Sequence, residues 1–216
     1  MGQLIIDISM SLDGFVAGPN PSLEEPLGHG GELLHEWAFS AMAWREAHGL
    51  EGGESNADSD VIGETVGRTG ASIMGRRMFS GGQGPWDDDP RANGWWGDEP
   101  PFHHPVFVLT HHAREPLQLT GTTFTFVTDG IESALEQARA AAGDRDVHVS
   151  GGGEACAEYL RAGLADEMQL HVAPVLLGGG TRLFDDHRDG EPAKMECTRV
   201  VESPTGVTHL RYRLNA

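Results

Sequence analysis

The chain has 216 residues, a formal net charge of −18 and only two cysteines. That length is enough for one large domain or at most two small ones to bury a proper core, and a single domain over 1–216 is expected. The acidity sets the chain against nucleic acid and anionic membrane surfaces as partners, so an anionic cofactor would need a local basic spot. No apolar run approaches the length of a membrane span, and Met1 to Ser9 lacks the basic start and cleavage motif of a secretory signal. Cys156 and Cys197 lack metal-ligand spacing. They suit a reducing cytoplasm and thiols that simply pack. His103-His104 and His111-His112 are adjacent pairs whose side chains diverge, so no metal site is expected from them.

Gln3 to Ser11 alternates with Leu4, Ile6 and Ile8 on one face around an apolar centre, which predicts a strand buried on both sides. Leu12 to Asn20 follows, with Asp13-Gly14 and Gly18-Pro19-Asn20 marking two turns around a short hydrophobic piece, and reads locally as a surface hairpin. Residues 21–57 are rich in Gly, Glu, Ser and Asn and hold one helical island, Glu32 to His48, with Trp37, Phe39, Met42 and Trp44. Such an island packs on a core or a neighbour, or else contributes to a substrate pocket. Asp58 begins a helix, DSDVIGETVGR, with acids at its positive end. Ala71 to Met74 is then a strand, and Arg76 and Arg77 leave its end. Arginine is well shaped to clamp phosphate, although this pair could equally answer Asp87, Asp88 and Asp89. The rest of Arg76 to Pro101, with Trp86, Trp95 and Trp96, reads as a loop.

Pro105 to Thr110 and Thr123 to Thr128 are two further strands, and Gly130 to Ala142 is a helix with Ile131, Leu135 and Ala138 on one face. Val147 to Val149 is a strand that stops at Gly151-Gly152-Gly153 and passes directly into the helical spacing of Glu154 to Leu160. Glycines between strand and helix let a backbone approach an anion, and the free N–H groups of a helix's first turn point at it. A strand-to-helix turn can also need glycine for steric reasons alone. The spacing does not match a dinucleotide fingerprint of the G-x-G-x-x-G kind. Glu167 to Pro174 is a strand, continued by Val175 to Leu177 and ended by a turn at Gly178-Gly179-Gly180. Met195 to Ser203 and Val207 to Leu214 alternate around Ser203-Pro204-Thr205-Gly206 and form an antiparallel hairpin. Strands separated by helices, closed by a hairpin, imply an α/β chain with a mixed sheet and helices on its faces.

With SMSLDGFVAG, IMGRRMF, FVLTHH, VSGGGEACAEYL and AGLADEMQLHVAPVLLGGGTRLF in this order, followed by the hairpin, the sequence resembles the dihydrofolate reductase-like superfamily. Its nearest branch is the reductase domain of bacterial riboflavin biosynthesis, the RibD C-terminal type. The likeness covers nearly the whole chain except residues 21–57, which form an insert. It implies a three-layer fold with a mainly parallel central sheet, NADPH as cofactor, and hydride transfer to a pterin-like or riboflavin-pathway pyrimidine-like substrate. It also implies a homodimer.

Carried over residue by residue, the resemblance places Gly151, Gly152, Gly153, Glu154 and Ala155 on the diphosphate, with a cis peptide expected at Gly151-Gly152. It puts Gly75, Arg76 and Arg77 on the 2′-phosphate and adenosine side, with Thr110 and His111 completing that pocket and Thr128 and Asp129 flanking the adenine. Ser9, Met10, Val16 and Ala17 would line the nicotinamide. Asp60 and His171 are the implied catalytic pair, Glu64 could face the same way, and Trp37 and Phe39 would partly cover a substrate pocket between the helix from Asp58 and the strand of His171. Folate itself is put in doubt by the insert and the tryptophan loop. Two other readings stay open: an NADP(H)-binding protein without turnover, and a structural dimer subunit whose glycines only make turns.

Overall fold

The structure is a computed structural model that describes residues 2–185 and 193–214. In chain order its elements are β1 (Leu4–Ser11), β2 (Phe15–Ala17), α1 (Glu36–Phe39), α2 (Met42–Ala47), α3 (Ala57–Arg68), β3 (Thr69–Gly75), α4 (Arg76–Ser80), β4 (Val106–Leu109), β5 (Leu117–Leu119) and β6 (Thr122–Val127). Then come α5 (Ile131–Ala142), β7 (Asp146–Gly151), α6 (Gly153–Arg161), β8 (Glu167–Ala173), β9 (Thr181–Arg182), β10 (Glu196–Glu202) and β11 (Thr208–Arg213). Nine strands form one sheet in the order β10-β11-β8-β1-β7-β3-β4-β6-β5. From β8 to β6 every pairing is parallel, while β11, β10 and β5 are antiparallel edges. This is the three-layer dihydrofolate reductase-like architecture, with the terminal hairpin extending one edge.

Alternation along the inner strands sorts side chains between two faces. Leu4, Ile6 and Ile8 of β1 join Ile73, Val149 and Leu170 of neighbouring strands beneath α5 and α6, which contribute Leu135, Ala138, Cys156 and Tyr159. The opposite face is divided. Toward β4 and β6 it is apolar, with Met74, Val106, Val108 and Phe124 covered by Phe79 of α4 and by Trp86, Trp96 and Phe102. Toward β1, β8 and β11 it is polar, and α3 and the insert cover it. Among the described residues no helix is long and apolar enough to cross a membrane.

Several local expectations are corrected. The island Glu32 to His48 is not one helix: a 3-10 turn at Gly31–Leu34, α1 and α2 are separate, because Ala41 is extended and bridges to Glu54. Arg76 to Ser80 is helical rather than loop, ended by Gly81 in the left-handed region at φ 80°. The strand of His171 stops at Ala173, since Pro174 has no N–H for a ladder and Val175 donates back to Ala173. The segment read as a self-contained hairpin contributes β2, whose partner is the distant β9. Cys156 packs as expected and burial pushes its thiol up to about 12, whereas Cys197 is exposed on β10.

The insert is fastened by its own small core, in which Leu34, Trp37 and Ala38 pack on Ala173 and Val207. The Trp37 indole N–H donates to Leu34 O at 2.9 Å and to Ser9 Oγ at 3.1 Å. Removing that ring by Trp37→Ala should cost about 3–5 kcal/mol in a urea unfolding measurement. Residues 21–57 should become protease-sensitive well before the sheet unfolds.

Candidate functional site

Parallel strands place all their carboxyl ends on one side, and ligands bind there where the strand order reverses direction. That point lies at the ends of β1, β7 and β3, because β1 is flanked by β7 and β8 while β3, β4 and β6 are laid outward on the other side of β7. At the end of β7 the Gly151-Gly152 peptide is cis, as the resemblance implied, and Gly151 has φ 123°. Gly152 is the N-cap of α6 and no side chain caps it, so the helix's first N–H groups meet no side-chain oxygen. A Cβ on Gly152 would have nothing within 4 Å, so this backbone faces open space. A Cβ on Gly153 would stand 2.5 Å from Val16 Cγ2 and 3.0 Å from Thr181 Cγ2. The β2–β9 ribbon therefore lies directly on the first residue of α6, and glycine is required for it to do so.

The two arginines after β3 have different fates. Arg76 turns inward: it pairs with Asp89, donates to Ser80 and lies 3.6 Å from the centre of the Trp86 ring. Their side chains are only 7% and 3% exposed for Arg76 and Asp89 respectively. Burial pushes Asp89 up, but the hydrogen bonds from Ser80 and Arg76 outweigh it and leave the carboxyl low. Arg76 is thus a structural ion that answers Asp89 and is not available to a phosphate. Arg77 stays outside, 45% exposed, with Nη1 3.1 Å from Glu154 Oε1 across the mouth of the cradle.

Another arginine lies on the ribbon face turned away from α6. Arg182 of β9 lies 4.3 Å from the centre of the Phe15 ring and donates to Asp13 O. It makes no ion pair among the described residues. Asp13 anchors this corner by accepting from the backbone N–H groups of Leu177 and Gly178 at 3.1 and 2.7 Å. A hydrogen bond from Ser11 and those two amides hold its carboxyl down at about 2.

Of the expected cofactor residues, Met10, Val16, Ala17, Gly75, Arg77, Thr110, His111, Thr128, Asp129 and Gly151 to Ala155 all sit in or just beyond the carboxyl ends of these strands and the adjoining ribbon and helix. Thr110 Oγ1 accepts from the His112 N–H and shapes the turn after β4, while Thr128 and Asp129 are exposed. Ser9 is set back from this edge, beneath Trp37.

The expected catalytic and substrate residues are placed differently. Asp60 is exposed; α3 turns Asp58 inward instead, two residues and therefore some 200° away around the helix. Asp58 Oδ1 is 2.8 Å from His209 Nε2, His209 Nδ1 is 2.6 Å from His171 Nδ1, and His171 Nε2 is 2.6 Å from Asp7 Oδ1. His171 is buried with both ring nitrogens engaged, so it offers no ring atom to a substrate. Glu64 pairs with Arg211 and Arg199, and Thr65 donates to Asp7. The space between α3 and the strand of His171 is therefore bridged by hydrogen bonds and is not a pocket. Trp37 seals it, with ring centroids 4.5 Å from His171 and 5.0 Å from His209. Phe39 is 42% exposed and packs on Trp44 instead.

A family model described as the RibD C-terminal domain matches residues 3–209. The protein YyaP of Bacillus subtilis (strain 168) is 24% identical over 217 residues, covering 99% of this chain and 95% of its own length. A solved structure from Shewanella sp. PV-4, assigned to riboflavin biosynthesis, superposes with TM-score 0.64 at 19% identity over 99% of both chains. A diaminohydroxyphosphoribosylaminopyrimidine deaminase/5-amino-6-(5-phosphoribosylamino)uracil reductase from Thermotoga maritima superposes with TM-score 0.56 at 15% identity, over 99% of this chain and 56% of that one.

The separation of the arginines is measurable. Arg76→Ala leaves Asp89 buried without its partner and should lower unfolding stability by about 3–5 kcal/mol. Arg77→Ala, at an exposed pair, should change it by less than about 1 kcal/mol. Equal urea midpoints for the two variants would contradict this placement.

Proposed function

The chain belongs to the RibD C-terminal domain family, and from that premise we propose that it is an NADPH-dependent reductase of a small heteroaromatic or carbonyl compound, of the pyrimidine type named for the Thermotoga maritima relative. The observation that carries this reading is the cradle at the strand-order reversal: the uncapped start of α6, the open side of Gly152, and Arg77 beside it in an otherwise acidic chain.

The residues fit a dinucleotide diphosphate. The first N–H groups of α6 would donate to it, with the helix dipole favouring its charge. Gly153 lets the β2–β9 ribbon close over it. Arg77 is the side chain available to a 2′-phosphate. When bound, the cofactor supplies the hydride; the protein's part is to hold donor and acceptor together and exclude water. Met10, Val16 and Ala17 give the next stretch of the cleft an apolar wall for that purpose.

A second reading, cofactor binding without turnover, is favoured by one feature. His171 is committed to Asp7 and His209 and has no free ring nitrogen to deliver a proton, while Asp60 stands on the exposed side of α3, away from it. Substrate-dependent NADPH oxidation separates the two readings.

Titration calorimetry with NADPH and NADH tests the cradle itself. NADPH should bind more tightly, and Arg77→Ala should lose about tenfold of that preference, roughly 1.4 kcal/mol. Gly152→Ala places a methyl group in the open cradle and should weaken both cofactors while leaving the unfolding midpoint near that of the native chain. Equal affinities for the two cofactors that Arg77→Ala does not change would overturn the 2′-phosphate assignment.

A further inference from the structure

Apart from the cradle, buried titratable groups collect on the polar sheet face. β1 contributes Asp7, β7 His148, β8 His171 and β11 His209, and α3 lays Asp58 against them. The geometry permits a count of protons. His171 Nε2 is 2.6 Å from Asp7 Oδ1, and His209 Nε2 is 2.8 Å from Asp58 Oδ1. With both carboxylates ionised, each only accepts, and both Nε2 atoms then carry hydrogen. Asp58 Oδ2 in turn accepts from Thr205 Oγ1, and Asp7 Oδ2 from Gln169 and Thr65. The two Nδ1 atoms lie 2.6 Å apart, a hydrogen-bonding distance that requires one nitrogen to donate and the other to accept. Three N–H protons on two imidazoles make one neutral ring and one imidazolium.

We propose that Asp7, His171, His209 and Asp58 form a buried proton-holding site, in which two imidazoles share one positive charge between two carboxylates, and that this shared proton latches α3 and the β10–β11 hairpin onto the sheet. The hairpin is reached through His209 of β11 and Thr205 of its turn, and α3 through Asp58. The inference is independent of cofactor binding.

The groups facing the pair set the direction of its pH response. Asp7 and Asp58 favour the single charge. His148, whose Nε2 is 4.0 Å from Asp7 Oδ2, and His35 of the insert oppose a further one. Arg211 and Glu64, next along β11 and α3, neutralise each other at 2.7 Å. A second proton would bring two Nδ1–H groups face to face, and Trp37 closes the site to water on the insert side. Burial first, then the charge of His171, holds His209 below the ordinary imidazole range in spite of Asp58. Below about pH 6.5 the unfolded chain therefore binds more protons than the folded one, and the latch weakens as pH falls. Each extra proton taken up on opening multiplies the open population by about tenfold per pH unit. His35 and His148, also held low by burial, respond with the same sign, so the contribution of the pair must be isolated by substitution.

Nitrogen-15 histidine NMR of the whole protein at neutral pH tests the count. Both Nε2 atoms should be protonated, and one strongly deshielded proton should correlate with both Nδ1 atoms; two neutral rings, or two that titrate independently, would overturn the site. Hydrogen exchange from about pH 7 to about pH 5, corrected for intrinsic rates, tests the latch. Opening of β10–β11 amides should rise with acid more steeply, by up to about tenfold per pH unit, in the native chain than in His209→Gln, whose amide can still donate to Asp58. Identical slopes would refute the latch, and if His209→Gln fails to fold, the NMR count on the native chain decides alone.

Discussion

Everything in this molecule depends on the position of β1. The first strand of the chain pairs in parallel with β7 and β8, two strands from its second half, so the parallel part of the sheet is complete only with residue 173 in place. Asp7 and Gln169, which share a hydrogen bond, are 162 residues apart. A strand so placed must be covered on both faces. α5 and α6 cover one face with apolar packing. The other is covered by α3 and the insert, and there the contacts are largely polar. The same placement makes the end of β1 the point where strand order reverses, so sheet topology and the position of the glycine cleft follow from one pairing.

The two halves of the molecule's polar chemistry are kept apart by that sheet. At its carboxyl edge, charged groups are exposed and weakly committed: Arg77 meets Glu154, and Arg182 rests on the Phe15 ring and donates to a backbone oxygen. Within the polar face, charges are fully committed, each carboxylate to an imidazole or an arginine. Low local dielectric makes a committed group costly to redirect, and an exposed one inexpensive. A ligand can therefore recruit the edge without disturbing the interior. Arg76 illustrates the division, since it is one residue from Arg77 and serves the structure alone.

The fold was legible in the sequence wherever a single periodicity ran unbroken, as in β1, β6, α5 and the β7–glycine–α6 passage. It was illegible where tertiary contacts overrode local pattern. A bridge from Ala41 to Glu54 breaks the aromatic island, and three residues suffice for β5 only because β6 templates it. The site showed the same limit at the scale of one helix turn. Asp58 and Asp60 are chemically alike and two residues apart, and only the phase at which α3 docks decides which is buried. Arg76 and Arg77 differ for the same reason. His209 and Arg182 gave no local signal, because their partners lie on elements far away in the chain.

The outermost strand, β10, is exposed along nearly its whole length and, among the described residues, pairs with a strand on one side only. A regular, apolar edge of that kind would recruit further strands from other molecules and seed aggregates. Here Glu196, Arg199 and Glu202 interrupt it with charge, and the pairing shifts register between Cys197 and Arg199. That irregularity spoils the template on which an intruding strand would have to align. Charge and irregularity together thus make this edge a poor template for a further strand.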